Sequence, residues 1–290
     1  MDKIKSSKLL SYLVIVLVYG ISLLGGYYSS IWIKDNAILQ FFFADVIATI
    51  ICFIFSVIFK NTNVYDPYWS FTPFAIALYF FIVYKGYNSI PNIILLIVFS
   101  IWSWRLTINW ITTFPNLNHE DWRYSDYRNK LSPFKFQIVN FFGLHMIPTV
   151  VVYGALIPLL ILFKDGNNSY LSLIGAGIIF IGILFELFAD IEMHSFLKNT
   201  KERVTCKKGL WNYSRHPNYL GENLIWIGVF IAMIVAYSNY WYLFYGFTLM
   251  ILLFEFISIP LAEAHHKNRR SDYMDYINQT SRMLLLPHKK

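Results

Sequence analysis

The stretch Leu9 to Ile33, LLSYLVIVLVYGISLLGGYYSSIWI, runs for 25 residues without an Asp, Glu, Lys, Arg or His. A helix needs about 20 apolar residues to cross the hydrocarbon of a bilayer. The apolar core of a cleavable signal peptide is only about 7 to 15 residues long, so this segment, preceded by Lys3, Lys5 and Lys8, reads as a retained first span. A second run, Asn223 to Phe254, stays uncharged over 32 residues. The 290-residue chain is 57% hydrophobic, 19% aromatic and 14% charged, whereas soluble domains carry about 25% charged residues. An ordinary soluble enzyme is thereby excluded. Backbone in lipid must satisfy its own hydrogen bonds, and continuous apolar runs instead of ten-residue alternating ones imply an all-α, multi-pass transmembrane helical bundle.

Outward from these two runs, the pattern predicts eight spans: Leu9 to Ile33, Ala37 to Phe59, Tyr68 to Tyr84, Pro91 to Thr112, Phe136 to Phe163, Leu171 to Asp190, Tyr219 to Tyr237 and Tyr240 to Leu261. The count becomes seven if the short Tyr68 to Tyr84 segment or the tight hairpin at Ser238 and Asn239 is misread. Cytoplasmic loops near span ends are enriched in Lys and Arg. With both termini inside, 20 of the 24 basic residues fall in inside segments, three (Lys34, Lys85, Lys164) fall outside, and Arg105 lies within a span. The net charge of +7 is therefore topology. A nucleic-acid surface would need its basic residues on one soluble face with exposed aromatics, and none is predicted. An endoplasmic reticulum membrane and a bacterial plasma membrane give the same asymmetry. The organisation expected is an N-terminal set of transmembrane helices on the substrate side, residues 1–112, and a C-terminal transmembrane domain with cytosolic cofactor-binding loops, residues 113–290.

Ionisable groups inside spans are costly and mark function by default. Here they are Asp45, Arg105, Glu186, Asp190, Glu222 and Glu255. Glu186 and Asp190 stand four apart, so a helix puts both carboxylates on one face with His194 a turn beyond. Asp45 and Glu255 lack such company and are expected to be structurally paired, Arg105 being one candidate partner. The densest polar run is Gly209 to Glu222, GLWNYSRHPNYLGE. Pro217 stops a helix from passing through it, Gly209 and Gly221 permit close backbone approach, and Arg215 suits phosphate or carboxylate. Tyr65, Asp66 and Trp69 are either a substrate end or an aromatic belt. His119, Glu120, Asp121, Arg123 and Tyr124 form either a cofactor lid or a helix-capping cluster of ion pairs. The mid-span small residues Gly175, Ala176, Gly177 and Gly182 indicate close helix packing. No metal site is expected: His265 and His266 are adjacent, and membrane di-iron boxes are absent. Cys52 and Cys206 imply no disulfide framework.

Gly209 to Gly228, GLWNYSRHPNYLGENLIWIG, resembles the C-terminal signature of the steroid 5-alpha-reductase superfamily, in particular its branch of uncharacterised multi-pass proteins. YDPYWSFTP (Tyr65 to Pro73), WRLTINW through HEDWRY (Trp104 to Tyr124), FELFADIEMHSF (Phe185 to Phe196) and AEAHHKNRRSDYMDYINQTSRMLLLP (Ala262 to Pro287) agree with that branch. The resemblance covers nearly the whole chain in order and is weakest in the first two spans. It implies an NADPH cradle in the C-terminal half, held without a Rossmann domain, and reduction of an enone-type C=C bond in a lipophilic, steroid- or lipid-like small molecule. By motif position, Asp190, Arg215, His216, Asn218, Tyr219 and Glu222 contact the cofactor. Asp190 and Glu222 would accept its hydrogen bonds, Arg215 would face a phosphate and Tyr219 would pack against a flat ring. Glu186 and the lid residue Arg123 join this set, although the steroid reductases have an asparagine at the Glu186 position. Asp66 falls near the family's catalytic Glu, with Tyr65 beside it, whereas the stretch matching the catalytic Tyr reads IWSWR and has Trp102.

A rival resemblance is to the isoprenylcysteine carboxyl methyltransferases, which carry an RHPxYxG element, a hairpin and a Glu-containing tail, and use S-adenosylmethionine. Glu263, with Tyr273 and Tyr276, fits that tail. Asn218, Glu222 and the upstream FADIEMHSF and HEDWRY stretches match the reductases better. A cofactor-binding membrane protein without catalysis is the non-enzymatic alternative.

Overall fold

The computed structural model describes residues 2–200 and 203–288. Lys201, Lys289 and Lys290, counted above among the inside charges, lie outside the described residues. Helices dominate, and no strand occurs among the described residues. The principal ones are α1 (Lys8–Ser30), α2 (Ala37–Phe59), α3 (Tyr68–Val83), α4 (Ile90–Thr113), the short α5 (Trp122–Lys130), α6 (Pro133–Asp165), α7 (Ser172–Asn199), α8 (Pro217–Ile234), α9 (Ser238–Lys267) and the short α10 (Tyr273–Gln279). Six of them, α1, α2, α4, α6, α7 and α9, are long and apolar enough to cross a membrane. The two other expected spans are helical but shorter, α3 with 16 residues and α8 with 18. An all-α multi-pass bundle is thus the fold.

Local chemistry sets the helix ends. The side chains of Ser7 and Asn36 cap α1 and α2 by accepting from the amides of Leu10 and Leu39 at 3.4 and 3.1 Å, which satisfies donors that a first turn leaves orphaned. Lys60 in the left-handed region closes α2, and Gly166 at φ 78° closes α6. A π-helical stretch, Val139–Met146, interrupts α6. The largest departure from the expected boundaries is α7, which runs to Asn199 and not Asp190. Periodic apolarity ends at the bilayer, but the helix continues because its polar turns hold the loop that follows.

By its contacts the chain divides into two compact units, residues 1–88 with 99–166, and residues 89–98 with 167–290. In the first, the α1–α2 hairpin closes where Gly26 meets the Ala44 carbonyl, leaving no room for a Cβ. Tyrosine hydroxyls then tie the segments together: that of buried Tyr19 donates to the Val64 carbonyl at 2.8 Å, and that of half-buried Tyr12 to the carbonyls of Ile111 at 2.5 Å and Phe114 at 3.0 Å at the end of α4. In the second, α7 lies against α8 through Gly175, Gly182, Gly221 and Gly228, where a Cβ on Gly182 would stand 2.6 Å from the Gly221 carbonyl. Small residues let membrane helices approach until backbones touch. Gly177, expected in the same contact, is not part of it; a Cβ there would meet nothing within 4 Å.

Candidate functional site

In the second unit the loop from Gly209 to His216 is held on two sides. Gly209 adopts φ 56° beside the Glu192 carboxylate, a conformation that favours glycine. Glu192 accepts from the Leu210 amide at 2.8 Å, and the Trp211 indole donates to the Ala189 carbonyl at 3.0 Å. These contacts explain why α7 extends past its apolar section. From the other side the tail straps the loop: the Arg215 amide donates to the Ser281 carbonyl at 2.9 Å and the Ser214 hydroxyl to Met283 at 2.6 Å. Pro217, at the first position of α8, needs no amide partner and starts the helix there.

The buried Arg215 guanidinium donates from Nε to Glu263 at 2.8 Å and from Nη1 to the carbonyls of Ile277 (3.0 Å) and Thr280 (2.5 Å). Expected to face a phosphate, Arg215 instead engages these acceptors inside the protein. His216 Nε2 lies 3.3 Å from the same Glu263 oxygen. Burial pushes the imidazole below its ordinary pKa against the opposing pull of Glu263, which keeps His216 neutral at pH 7. Tyr219 stacks on His216 (centroids 5.5 Å apart) and on Phe254 (4.7 Å); these are flat rings of the protein's own.

Arg215, His216, Asn218 and Tyr219 line one cavity of about 280 Å³ together with Met193 and Leu197 of α7 and Tyr273 and Tyr276 of α10. The Asn218 amide oxygen is buried without a hydrogen-bond partner among the described residues, although such acceptors are normally satisfied. Glu263 does not line the cavity but holds two residues that do. Sequence reasoning missed Trp211, Cys206, His266 and Arg270, which also line it, as do Thr205 and Ala262. His266 and Arg270 sit inside the tail motif, yet the adjacent histidines drew attention only as metal ligands. Glu186 and Glu222 are buried and Asp190 half-buried, and none of the three lines this cavity. Glu222 accepts the Trp226 indole one turn on at 2.8 Å.

Tyr65, Asp66 and Arg123 belong to the first unit. Tyr65 is 2% exposed, so it is a core residue and not part of a belt. Its hydroxyl meets Thr149 at 2.7 Å, Thr149 meets Thr49 at 2.8 Å, and the Tyr68 hydroxyl donates to Asp45 at 2.8 Å. Tyr68 is thus the partner of Asp45, while Arg282 pairs Glu255 at 2.9 Å in the second unit. Asp121 caps α5 by accepting the Arg123 amide at 2.9 Å and pairs with its side chain at 2.7 Å; Arg128 makes a bidentate pair with Glu120 at 2.7 and 2.9 Å. Of the two readings for this stretch, the geometry is that of a capping ion-pair cluster. Trp102 is fully buried.

Asp66 accepts a hydrogen bond from the Tyr124 hydroxyl. Burial pushes its carboxyl up to about 7, with Arg123 and Tyr124 pulling the other way. A carboxyl raised by folding favours the protonated fold, so its contribution is complete below the ordinary Asp value and is lost as pH rises through about 7. Thermal midpoints of wild type should therefore decline between pH 5 and 8 more steeply than those of Asp66→Asn. Parallel profiles would refute the shift.

An uncharacterised protein of Schizosaccharomyces pombe is 25% identical to this chain over 202 residues, which are 61% of this chain and 59% of the relative. The chain therefore spans less than two thirds of that relative's length. No solved structure matches. The model of the DUF1295 family, described as proteins of unknown function, matches residues 52–280 and so takes in the loop and every residue that lines the cavity; the chain belongs to that family.

Proposed function

We propose that the protein is a membrane-embedded oxidoreductase that uses NADPH, taken up from the cytoplasmic face, to reduce an enone-type C=C bond of a lipophilic small molecule in the manner of the steroid 5-alpha-reductases. The observation that carries this reading is the Asn218 amide oxygen, a buried acceptor without a partner among the described residues, on the wall of a cavity that also presents Tyr, Trp, His and Arg side chains. An acceptor left over in such a place calls for an N–H or O–H from a ligand. NADPH offers both along its length, as N–H groups on its nicotinamide and adenine and as ribose hydroxyls, and the aromatic part of the wall suits a flat ring. The residues present therefore fit the group. NADPH, when bound, supplies hydride equivalents.

The chain's own residues supply the rest. Asn218 accepts from the cofactor, and Glu186, Asp190 and Glu222 are further acceptors for hydroxyl groups. Arg215, with Glu263, keeps the loop in the shape that presents Asn218 and Tyr219. Asp66, whose carboxyl burial pushes up to about 7, is poised between its acid and carboxylate forms at neutral pH and in the acid form can donate to a substrate carbonyl oxygen, with Tyr65 beside it. On this reading both termini face the cytoplasm, and the membrane is that of the endoplasmic reticulum or a bacterial plasma membrane.

One observation favours a second reading, that of an S-adenosylmethionine-dependent membrane methyltransferase: Tyr273 and Tyr276 line the cavity, and Glu263 holds Arg215 and His216 on its wall. Thermal unfolding of the detergent-solubilised protein with NADPH and with S-adenosylmethionine separates the two. A ligand that binds only the fold stabilises it by about 2.7 kcal/mol at a hundred times its Kd. NADPH should raise the midpoint, and the rise should vanish in Asn218→Ala and Asp190→Ala. A rise with S-adenosylmethionine alone would make the protein a methyltransferase.

A further inference from the structure

Arg270 also lies on the wall of the cavity, half-buried, and its guanidinium has no hydrogen-bond or ion-pair partner among the described residues. Three acids of the same unit are engaged elsewhere. Glu263 holds Arg215 at 2.8 Å, Glu255 holds Arg282 at 2.9 Å, and Asp272 holds Lys207 at 3.3 Å and the Thr205 hydroxyl at 2.8 Å. With Arg215 cancelled by Glu263, Arg270 leaves the wall with one positive charge that nothing in it neutralises.

Such a cation beside aromatic rings calls for an anionic group carried on a flat heterocycle. The Arg fork matches phosphate oxygens in a bidentate way, and this is the strongest form of hydrogen bond available to it. At about 280 Å³ the cavity is smaller than the roughly 300–1,000 Å³ of sites that enclose a whole drug-sized ligand. It therefore takes one part of a dinucleotide. Trp211 and Tyr276 bound it near the loop, and Tyr273 lies between Arg270 and Tyr276 along the tail.

We infer that this cavity receives the phosphorylated adenosine end of NADPH and that Arg270 binds its 2′-phosphate, making Arg270 the residue that selects NADPH over NADH. The inference rests on the NADPH reading above. Its physical basis is that the two cofactors differ only in that phosphate, and a cation without a partner distinguishes them while an ion-paired Arg215 does not.

The test uses the full-length protein in detergent and measures binding of NADPH, NADH, 2′,5′-ADP and 5′-AMP to wild type, Arg270→Gln and Arg270→Lys. Wild type should prefer NADPH to NADH and 2′,5′-ADP to 5′-AMP. In Arg270→Gln the NADPH preference should fall about tenfold or more, the equivalent of about 1.4 kcal/mol, and Arg270→Lys should retain part of it. An unchanged preference in Arg270→Gln overturns the assignment, as does a parallel loss of both dinucleotides. Should Arg270→Gln not fold, wild type decides alone: no preference for 2′,5′-ADP over 5′-AMP overturns it. Equal binding of NADPH and NADH by wild type sinks only this inference, whereas binding of neither sinks the proposed function.

Discussion

Glu263→Gln should lower the thermal midpoint of the purified protein more than any other single change at the candidate site. The substitution keeps shape and one acceptor oxygen but leaves the Arg215 charge, whose side chain is 9% exposed, without its counter-ion. Removing one member of a buried pair typically costs about 3–5 kcal/mol, because the remaining charge stays desolvated and unpaired. Here two backbone carbonyls, Ile277 and Thr280, still accept from the same guanidinium, so a loss near about 3 kcal/mol is expected. The variant also separates two roles for Arg215. If Arg215 is a keystone of the loop, Glu263→Gln weakens NADPH binding together with stability. Were Arg215 the phosphate anchor, freeing it from Glu263 would strengthen binding of anions, and that result would reverse the assignment made here.

The second large effect concerns the approach of α7 and α8. Gly182→Ala places a Cβ 2.6 Å from the Gly221 carbonyl and 3.1 Å from the Ile225 amide nitrogen, both backbone atoms that cannot rotate away. The helices must separate, and overpacking of this kind costs about 1–3 kcal/mol. Because α8 opens with Asn218 and Tyr219, the displacement also reaches the cavity. Gly177→Ala, on the same helix with open space around it, is the control and should leave the midpoint unchanged. Equal midpoints for the two variants would show that the glycine contact does not hold the helices together.

Comparison of the expected and observed elements shows where sequence is informative. The apolar runs locate α1, α2, α4 and α6 to within a few residues, since length in lipid is a one-dimensional property. The run ending at Asp190 misplaces the end of α7 by nine residues, to Asn199, because Glu192 is fixed by a loop amide and not by periodicity. The motif Gly209 to Glu222 correctly draws attention to Arg215, His216, Asn218 and Tyr219, four residues that share a cavity. It is silent about the partner of Arg215, which stands 48 positions further along the chain.

Composition and pattern alone determine that the chain is a helical membrane bundle and that its polar chemistry is concentrated in a few short segments. Hydrocarbon admits no unpaired backbone groups, so an uncharged run of sufficient length has one way to be satisfied. Tertiary structure alone decides which charges cancel. The sequence contains Arg215, Glu263 and Arg270 as three ionisable residues of equal standing. Packing of the tail against the loop brings Glu263 to Arg215 and leaves Arg270 on the cavity wall. That pairing arises from distances between elements remote in sequence, and no periodicity or spacing along the chain encodes it.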